Sequence, residues 1–262
     1  MAKALLIVEG AKLEPRFFTQ MSKVCQMNVE IVSLRANVYL LYRKLKEYGF
    51  DYDVRIALKE LIPEKDENAH RILSEHYAYT YLIFDCDAHD VGLSKAGSSN
   101  QDITKIVELN YAHLGEMIGY FTDETDPERG RLFVNYPMME SYRDCDSLTE
   151  EGFLNRKIGF DELTKYKELV GRRKLANLRI ETMERSDFEA LAHLHQRKAL
   201  RLLGKGEEDL TEDSVIQISQ QGILEKQNEL VAERNMAVLN TSLFLKFDYK
   251  YESSYESSPC NR

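Results

Sequence analysis

Four short apolar runs, separated by stretches with helical spacing, constrain what this chain can fold into. They are Ala4–Val8, Val29–Leu34, Tyr79–Phe84 and Arg131–Val134. Each is the length of a strand, is bounded by polar or turn residues and is rich in aliphatic or aromatic side chains. Between them, residues 13–21 read as a helix, with Pro15 in the first turn where its missing N–H is harmless. Val38, Leu40, Leu41, Leu45 and Tyr48 mark a second helix over 37–48, stopped by Gly49. Residues 51–76 are charged and predicted helical, with a break at Pro63, and Ile103–Phe121 is a longer helix. Strands alternating with helices predict an α/β fold with a parallel sheet of about four strands.

The residues that end these runs carry the chemistry. Glu9 follows the first run, Asp85 and Asp87 close the third in Ile83-Phe-Asp-Cys-Asp87, and Glu140 follows the fourth in Asn135-Tyr-Pro-Met-Met-Glu140. In an open parallel sheet the ligand crevice lies outside the carboxyl ends of the strands, so four acids distant in sequence are predicted to meet there. Carboxylates brought together repel one another, and a hard divalent cation is the usual remedy. Each acid also admits a structural reading: Glu9 as a cap of the next helix, Asp85 and Asp87 as Asx-turn residues, Glu140 as the start of a helix. Glu14 reads as a helix-dipole partner. His89 and Asp90 follow the D-x-D closely and suit either contact with the site or a loop role, and Tyr136 and Tyr142 suit either packing or base stacking.

Beyond residue 148 the strand signals thin out. Phe160–Gly171, Asp187–Leu203 and Ser214–Leu239 are predicted helices, with one further strand at Leu243–Phe247. This divides the chain into a catalytic domain over 1–148, a mainly helical module over 149–250 and a disordered tail over 251–262, where Tyr-Glu-Ser-Ser repeats. At 262 residues, 43% hydrophobic and with a net charge of -9, the chain can bury a substantial core. No run reaches the roughly 18 apolar residues of a membrane span, and the five apolar residues after Lys3 are too few for a signal-peptide core, so the expected location is the cytoplasm. Cys25, Cys86, Cys145 and Cys260 form no C-x-x-C pair, which argues against a zinc module and for reduced thiols. His193 and His195, two apart, fall on different helix faces and read as structural or surface residues. Residues 156–205 hold 13 basic residues against 7 acidic, and Arg172, Arg173 and Lys174 within them are candidates for nucleic-acid contact, with a solvated helix face as the alternative.

The segment Val8-Glu-Gly-Ala-Lys-Leu-Glu-Pro-Arg-Phe-Phe18 resembles the first motif of the TOPRIM domain, and Asp85-Cys-Asp87 resembles its second. The version here is most similar to the nucleases of the OLD-like and RloB-like anti-phage groups, whose first motif is often followed by residues like those at 14–18. The resemblance covers about residues 3–145. It implies a Rossmann-like TOPRIM sheet and a Mg²⁺- or Mn²⁺-dependent nuclease acting on DNA or RNA, tRNA included. Asp85 and Asp87 would be the metal ligands, Glu9 the general acid/base or a ligand through water, and Glu140 the completing member, with room for a second metal. Lys12, Lys95 and Arg143 are candidates for contact with the scissile phosphate.

Departures narrow the resemblance. His89 stands where topoisomerases often have a third Asp, and the chain is too short to supply their additional domains. No G-x-x-x-x-G-K-[ST] is present, so an ATPase would be a separate subunit, with the helical module available for docking or for homo-oligomer formation. Two other readings compete. A haloacid-dehalogenase-like phosphatase would use Asp85 as nucleophile, but would leave Glu9 unexplained. A catalytically silent TOPRIM subunit would only bind partners.

Overall fold

The computed structural model describes residues 3–50, 53–90, 102–122, 129–206 and 218–256. Its centre is a four-stranded, all-parallel sheet of β1 (Ala4–Val8), β2 (Val29–Ser33), β3 (Tyr79–Asp85) and β4 (Arg131–Asn135), in the order β2-β1-β3-β4. The chain is thus α/β, with helices flanking a parallel sheet. All five residues of β1 are fully buried, as expected of a central parallel strand covered on both faces. Strand β2, at one edge, is mostly half-buried. Val8 pairs with Ile83 and Asp85 with Asn135, so the carboxyl ends of β1, β3 and β4 lie side by side.

Helix α1 (Leu13–Cys25) connects β1 to β2, and α5 (Ile103–Phe121) lies between β3 and β4. Helices α2 (Val38–Glu47), α3 (Val54–Leu61) and α4 (Glu67–Ile72) fill the long passage from β2 to β3. Their starts are capped by Asn37, Asp53 and Asp66, whose side chains accept N–H bonds from Leu40, Arg55 and Ala69.

The order β2-β1-β3-β4 has a topological consequence. From β1 the chain steps outward to β2, then returns across β1 to place β3 on its other side. The order reverses between β1 and β3, and ligands of open α/β sheets bind at such a switch point.

Residues after 148 pack onto this sheet. One continuous hydrophobic cluster runs from the sheet through Phe153, Leu163, Phe188, Leu191, Leu224 and Leu243, and Tyr136 and Leu239 exchange backbone hydrogen bonds of 2.7 and 2.8 Å. Helices α6 (Tyr166–Val170), α7 (Arg185–Leu202), α8 (Gln220–Glu229) and α9 (Leu245–Glu256) are joined by 3₁₀ turns.

Two expectations need correction here. The helix predicted over Ser214–Leu239 is shorter: residues 207–217 lie outside the described residues, α8 ends at Glu229, and Arg234 adopts a left-handed φ of 55°. The chain then forms β6 (Asn235–Ala237), antiparallel to β5 (Lys157–Gly159). The strand predicted at Leu243–Phe247 is helical instead. The Asn240 side chain accepts N–H from Leu243 at 3.2 Å and O–H from Ser242 at 2.7 Å, a local turn that starts α9 rather than a strand. Helix α9 continues to Glu256, into the stretch expected to be a disordered tail. Among the described residues no helix is long and apolar enough to cross a membrane, and Cys25, Cys86 and Cys145 are free thiols.

A carboxylate cluster at the sheet switch point

Glu9 leaves the end of β1 and leans across the switch point. Its Oε2 accepts the backbone N–H of Asp85 at 3.1 Å. Glu9 therefore does not cap α1, whose N-cap position is Lys12 and has no side-chain cap. Gly10 matters next to it because the Glu14 carboxylate folds back over the chain there. Its Oε1 accepts the Gly10 N–H at 3.0 Å, and a Cβ at position 10 would meet Oε2 at 2.4 Å. Glu14 is only 7% exposed, so it belongs to the buried charge of this region and is more than a helix-dipole partner.

Asp85 ends β3 and is buried. Two residues on, Asp87 has a φ of 35°, a left-handed conformation that Asp tolerates better than most residues. The turn that carries it is tied down on several sides. Cys86 donates its N–H to Asn135 O (2.8 Å), and Asp87 donates to Pro137 O (3.2 Å). The Tyr39 hydroxyl donates to Cys86 O. Buried Asn110, on α5, donates to Ala88 O at 2.8 Å and to Asp90 O at 3.0 Å, and Asn37 donates to the Asp90 carboxylate. Glu140 lies in the first turn of the 3₁₀ segment Met139–Arg143 and is buried. That segment is anchored from behind by Asn240, whose Nδ2 donates to Met139 O at 3.0 Å.

The four acids feel one another's charge. Burial first, and then Asp87, push the Glu9 carboxyl from an ordinary 4.5 up to about 8. Burial, then Glu9, Asp87, Glu14 and Glu140, hold Asp85 well above the carboxylate range. Asp87 is raised by burial and by Asp90 and Glu140, against the opposing pull of His89 and Lys167. These are the marks of carboxylates crowded into a poorly solvated place with too little positive charge.

The cation that answers them was not among the sequence candidates. Lys167, on α6, reaches the Glu140 carboxylate at 3.3 Å, and Asp85 and Asp87 join Glu140 in raising its ammonium. It comes from 27 residues beyond Glu140, and only tertiary packing puts it here. The expected basic residues have other surroundings. Lys12 is exposed, and Lys95 lies outside the described residues. Arg143 donates to Ala176 O at 3.1 Å and lies over the Tyr142 ring. Arg172 pairs with Glu168 at 2.6 Å and Arg173 with Asp144 at 2.9 Å, while Lys174 donates its backbone N–H to Asp146. Tyr136 and Tyr142 are fully buried and pack rather than present faces for stacking. His195 is buried too, accepts the Asn240 N–H at 2.9 Å and is pushed down to about 3 by burial, so it is a neutral structural histidine.

As a cation site the cluster has a fitting donor set, carboxylate oxygens suited to Mg²⁺ or Mn²⁺. Its side chains are not gathered round one point, however. Glu9 is turned to the Asp85 N–H and Glu140 to Lys167, and among the described residues no three acidic, His or Cys side chains converge tightly enough to hold a metal. Side-chain rotation of Glu9 or Glu140 would be needed to close a ligand sphere. Comparison with family models, with curated proteins and with solved structures finds no match to this chain.

Proposed function

We propose that this protein is a Mg²⁺- or Mn²⁺-dependent nuclease of TOPRIM type that cleaves phosphodiester bonds in DNA or RNA. The observation that carries the reading is the placement of Glu9, Asp85, Asp87 and Glu140 at the carboxyl ends of neighbouring strands by the switch point between β1 and β3, where burial and then neighbouring carboxylates raise Glu9, Asp85 and Asp87 above the ordinary range. A buried set of acids with one close ammonium among the described residues, Lys167, is costly to maintain, and costly polar clusters persist where function needs them.

Asp85, Asp87 and Glu140 are the residues that would hold the cation. The chemistry a divalent cation supplies when bound is charge stabilisation at the phosphoryl oxygens. Glu9 is suited to move a proton, because burial and Asp87 push its carboxyl up, to about 8 before a cation binds, away from the ordinary carboxylate range and toward neutral pH. The Asp85 N–H fixes one of its oxygens and so orients the other. Lys167 offers a positive charge to the phosphate. A haloacid-dehalogenase-like phosphatase would use Asp85 but give no part to Glu9 or Glu140. The resemblance to defence nucleases, together with the lack of a nucleotide-binding loop in the sequence, extends the proposal to an effector controlled by a separate ATPase subunit.

The test is cleavage of single- and double-stranded DNA and of RNA, tRNA included, in Mg²⁺ and in Mn²⁺, by wild type, Glu9→Ala and Asp85→Ala. Metal-dependent cleavage that falls at least ~100-fold in both variants is expected. Equal cleavage by variant and wild type would sink the proposal.

A further inference from the structure

Away from the carboxylates, the second half of the chain forms an open pocket of about 410 Å³. It opens between the 3₁₀ turn Glu151–Asn155, β5, the last turn of α7, and α8 with the turn that follows it. This is the volume range of small-molecule sites. Five cationic side chains line it, Arg156, Lys157, Lys198, Arg201 and Lys226, against one carboxylate, Glu229. Apart from Asn155, the remaining lining side chains are apolar.

The state of each cation matters more than their number. Arg156 is held by Asp144 at 3.2 Å and Glu150 at 2.6 Å, Lys157 by Glu233 at 2.8 Å, and Lys226 by Glu229 at 2.7 Å. Arg201 is exposed and has no ion pair among the described residues. Lys198 is the unusual member. It is 2% exposed, and its ammonium donates to two backbone carbonyls, Phe153 O at 2.7 Å and Arg156 O at 2.6 Å, with the Phe153 ring 4.3 Å away. Those bonds use two of its three N–H groups, and among the described residues no carboxylate pairs with it. Neutral acceptors satisfy hydrogen bonds but do not cancel the charge, and burial pushes its proton affinity well down. The carboxyl end of α7 contributes only about half a negative charge, less than Arg201 alone brings. Among the described residues the cavity wall therefore carries one cation without a carboxylate beside it, Arg201, next to a buried lysine on which a bound anion would hold a proton.

We infer that this cavity is a binding site for a compact phosphorylated group, the phosphate end of a nucleotide or of a nucleic-acid strand, seated against Lys198 and Arg201. Phosphate fits because it offers several charged acceptors in a small volume and suits Arg forks and Lys ammonium alike. None of the lining residues belongs to the carboxylate cluster, so the inference stands whether or not that cluster cleaves nucleic acid.

The experiment is calorimetric titration of the full chain in EDTA, which removes metal-bridged binding at the carboxylates. The probes are pyrophosphate, a nucleoside triphosphate, and a trinucleotide with and without a 5′-phosphate. The variants are Lys198→Met and, because that buried change also alters packing, the exposed Arg201→Glu. At least one phosphorylated probe should bind the wild type, and its affinity should fall at least tenfold in Arg201→Glu with the melting temperature unchanged. Preference for the triphosphate would identify a free nucleotide. Binding of the trinucleotide only when 5′-phosphorylated would identify a strand end. Failure of every phosphorylated probe to bind at millimolar concentration, or equal binding by Arg201→Glu, would overturn the site.

Discussion

Replacing Glu9 by Gln should make this protein more stable, and the gain should depend on pH in a defined way. Gln keeps an oxygen to accept the Asp85 N–H that Glu9 Oε2 now accepts at 3.1 Å, and its size is the same. It removes the charge whose crowding with Asp87 and Glu14, added to burial, raises the Glu9 carboxyl from 4.5 to about 8. A raised carboxyl means that between those two values the native chain retains a proton the unfolded chain releases. Wild-type stability therefore falls as pH rises through that window, whereas a Gln at position 9 has no proton to lose. The difference between the two is about 4 kcal/mol at pH 7.5 and only about 1 kcal/mol at pH 5.5, both ceilings because water entry and shared protonation among the acids soften the penalty. Half the ceiling at pH 7.5, about 2 kcal/mol, shifts the melting temperature of a chain this long by roughly 4–8 °C. Thermal unfolding in EDTA, by circular dichroism at the two pH values, reads this directly. Glu9→Gln should melt several degrees above wild type at pH 7.5, with most of the gain gone at pH 5.5. A variant that melts below wild type at pH 7.5, or gains equally at both values, would refute the crowded-carboxylate reasoning.

Other outcomes follow from particular contacts. Gly130 enters β4 with a φ of 87°, and a Cβ there would meet Thr80 O at 2.7 Å. Gly130→Ala should therefore lose on the order of 2–4 kcal/mol of stability, read as a lower urea midpoint. Asn110→Ala removes two of the bonds that hold the turn after Asp87. It should weaken Mn²⁺ binding by ~10–100-fold, measured by calorimetry, since it acts on how the ligands are held.

The legible part of the fold is the sheet, because its central strands β1 and β3 are buried and stand out as nearly unbroken apolar runs. Ala4–Val8 reads correctly to the residue, and the helix Ile103–Phe121 does so through its period. What escaped depends on contacts distant in sequence. Strands β5 and β6 are three residues each, too short to show any period. Leu243–Phe247 has the composition of a strand, and only Asn240, accepting from the next turn, makes it helical. The site divides in the same way. Glu9, Asp85, Asp87 and Glu140 are visible because each follows a strand. Glu14 looked like an ordinary first-turn acid, since nothing local reveals that its carboxylate folds over Gly10. Lys167 sits in an unremarkable charged helix and gains its place only when α6 packs beside the Glu140 turn. The basic run Arg172-Arg173-Lys174 was conspicuous in sequence, but Arg172 and Arg173 pair with nearby acids in the fold.

The most direct measurement is calorimetric titration of metal-free protein with Mn²⁺ at pH 7.5, comparing wild type with Asp85→Asn. Wild type should bind one or two Mn²⁺ per chain and release protons as it does so, because cation binding drives raised carboxyls to ionise. Asp85→Asn should lose that heat and proton release while folding normally by circular dichroism. No Mn²⁺ binding by wild type, or binding undiminished in Asp85→Asn, would contradict a metal site at the switch point.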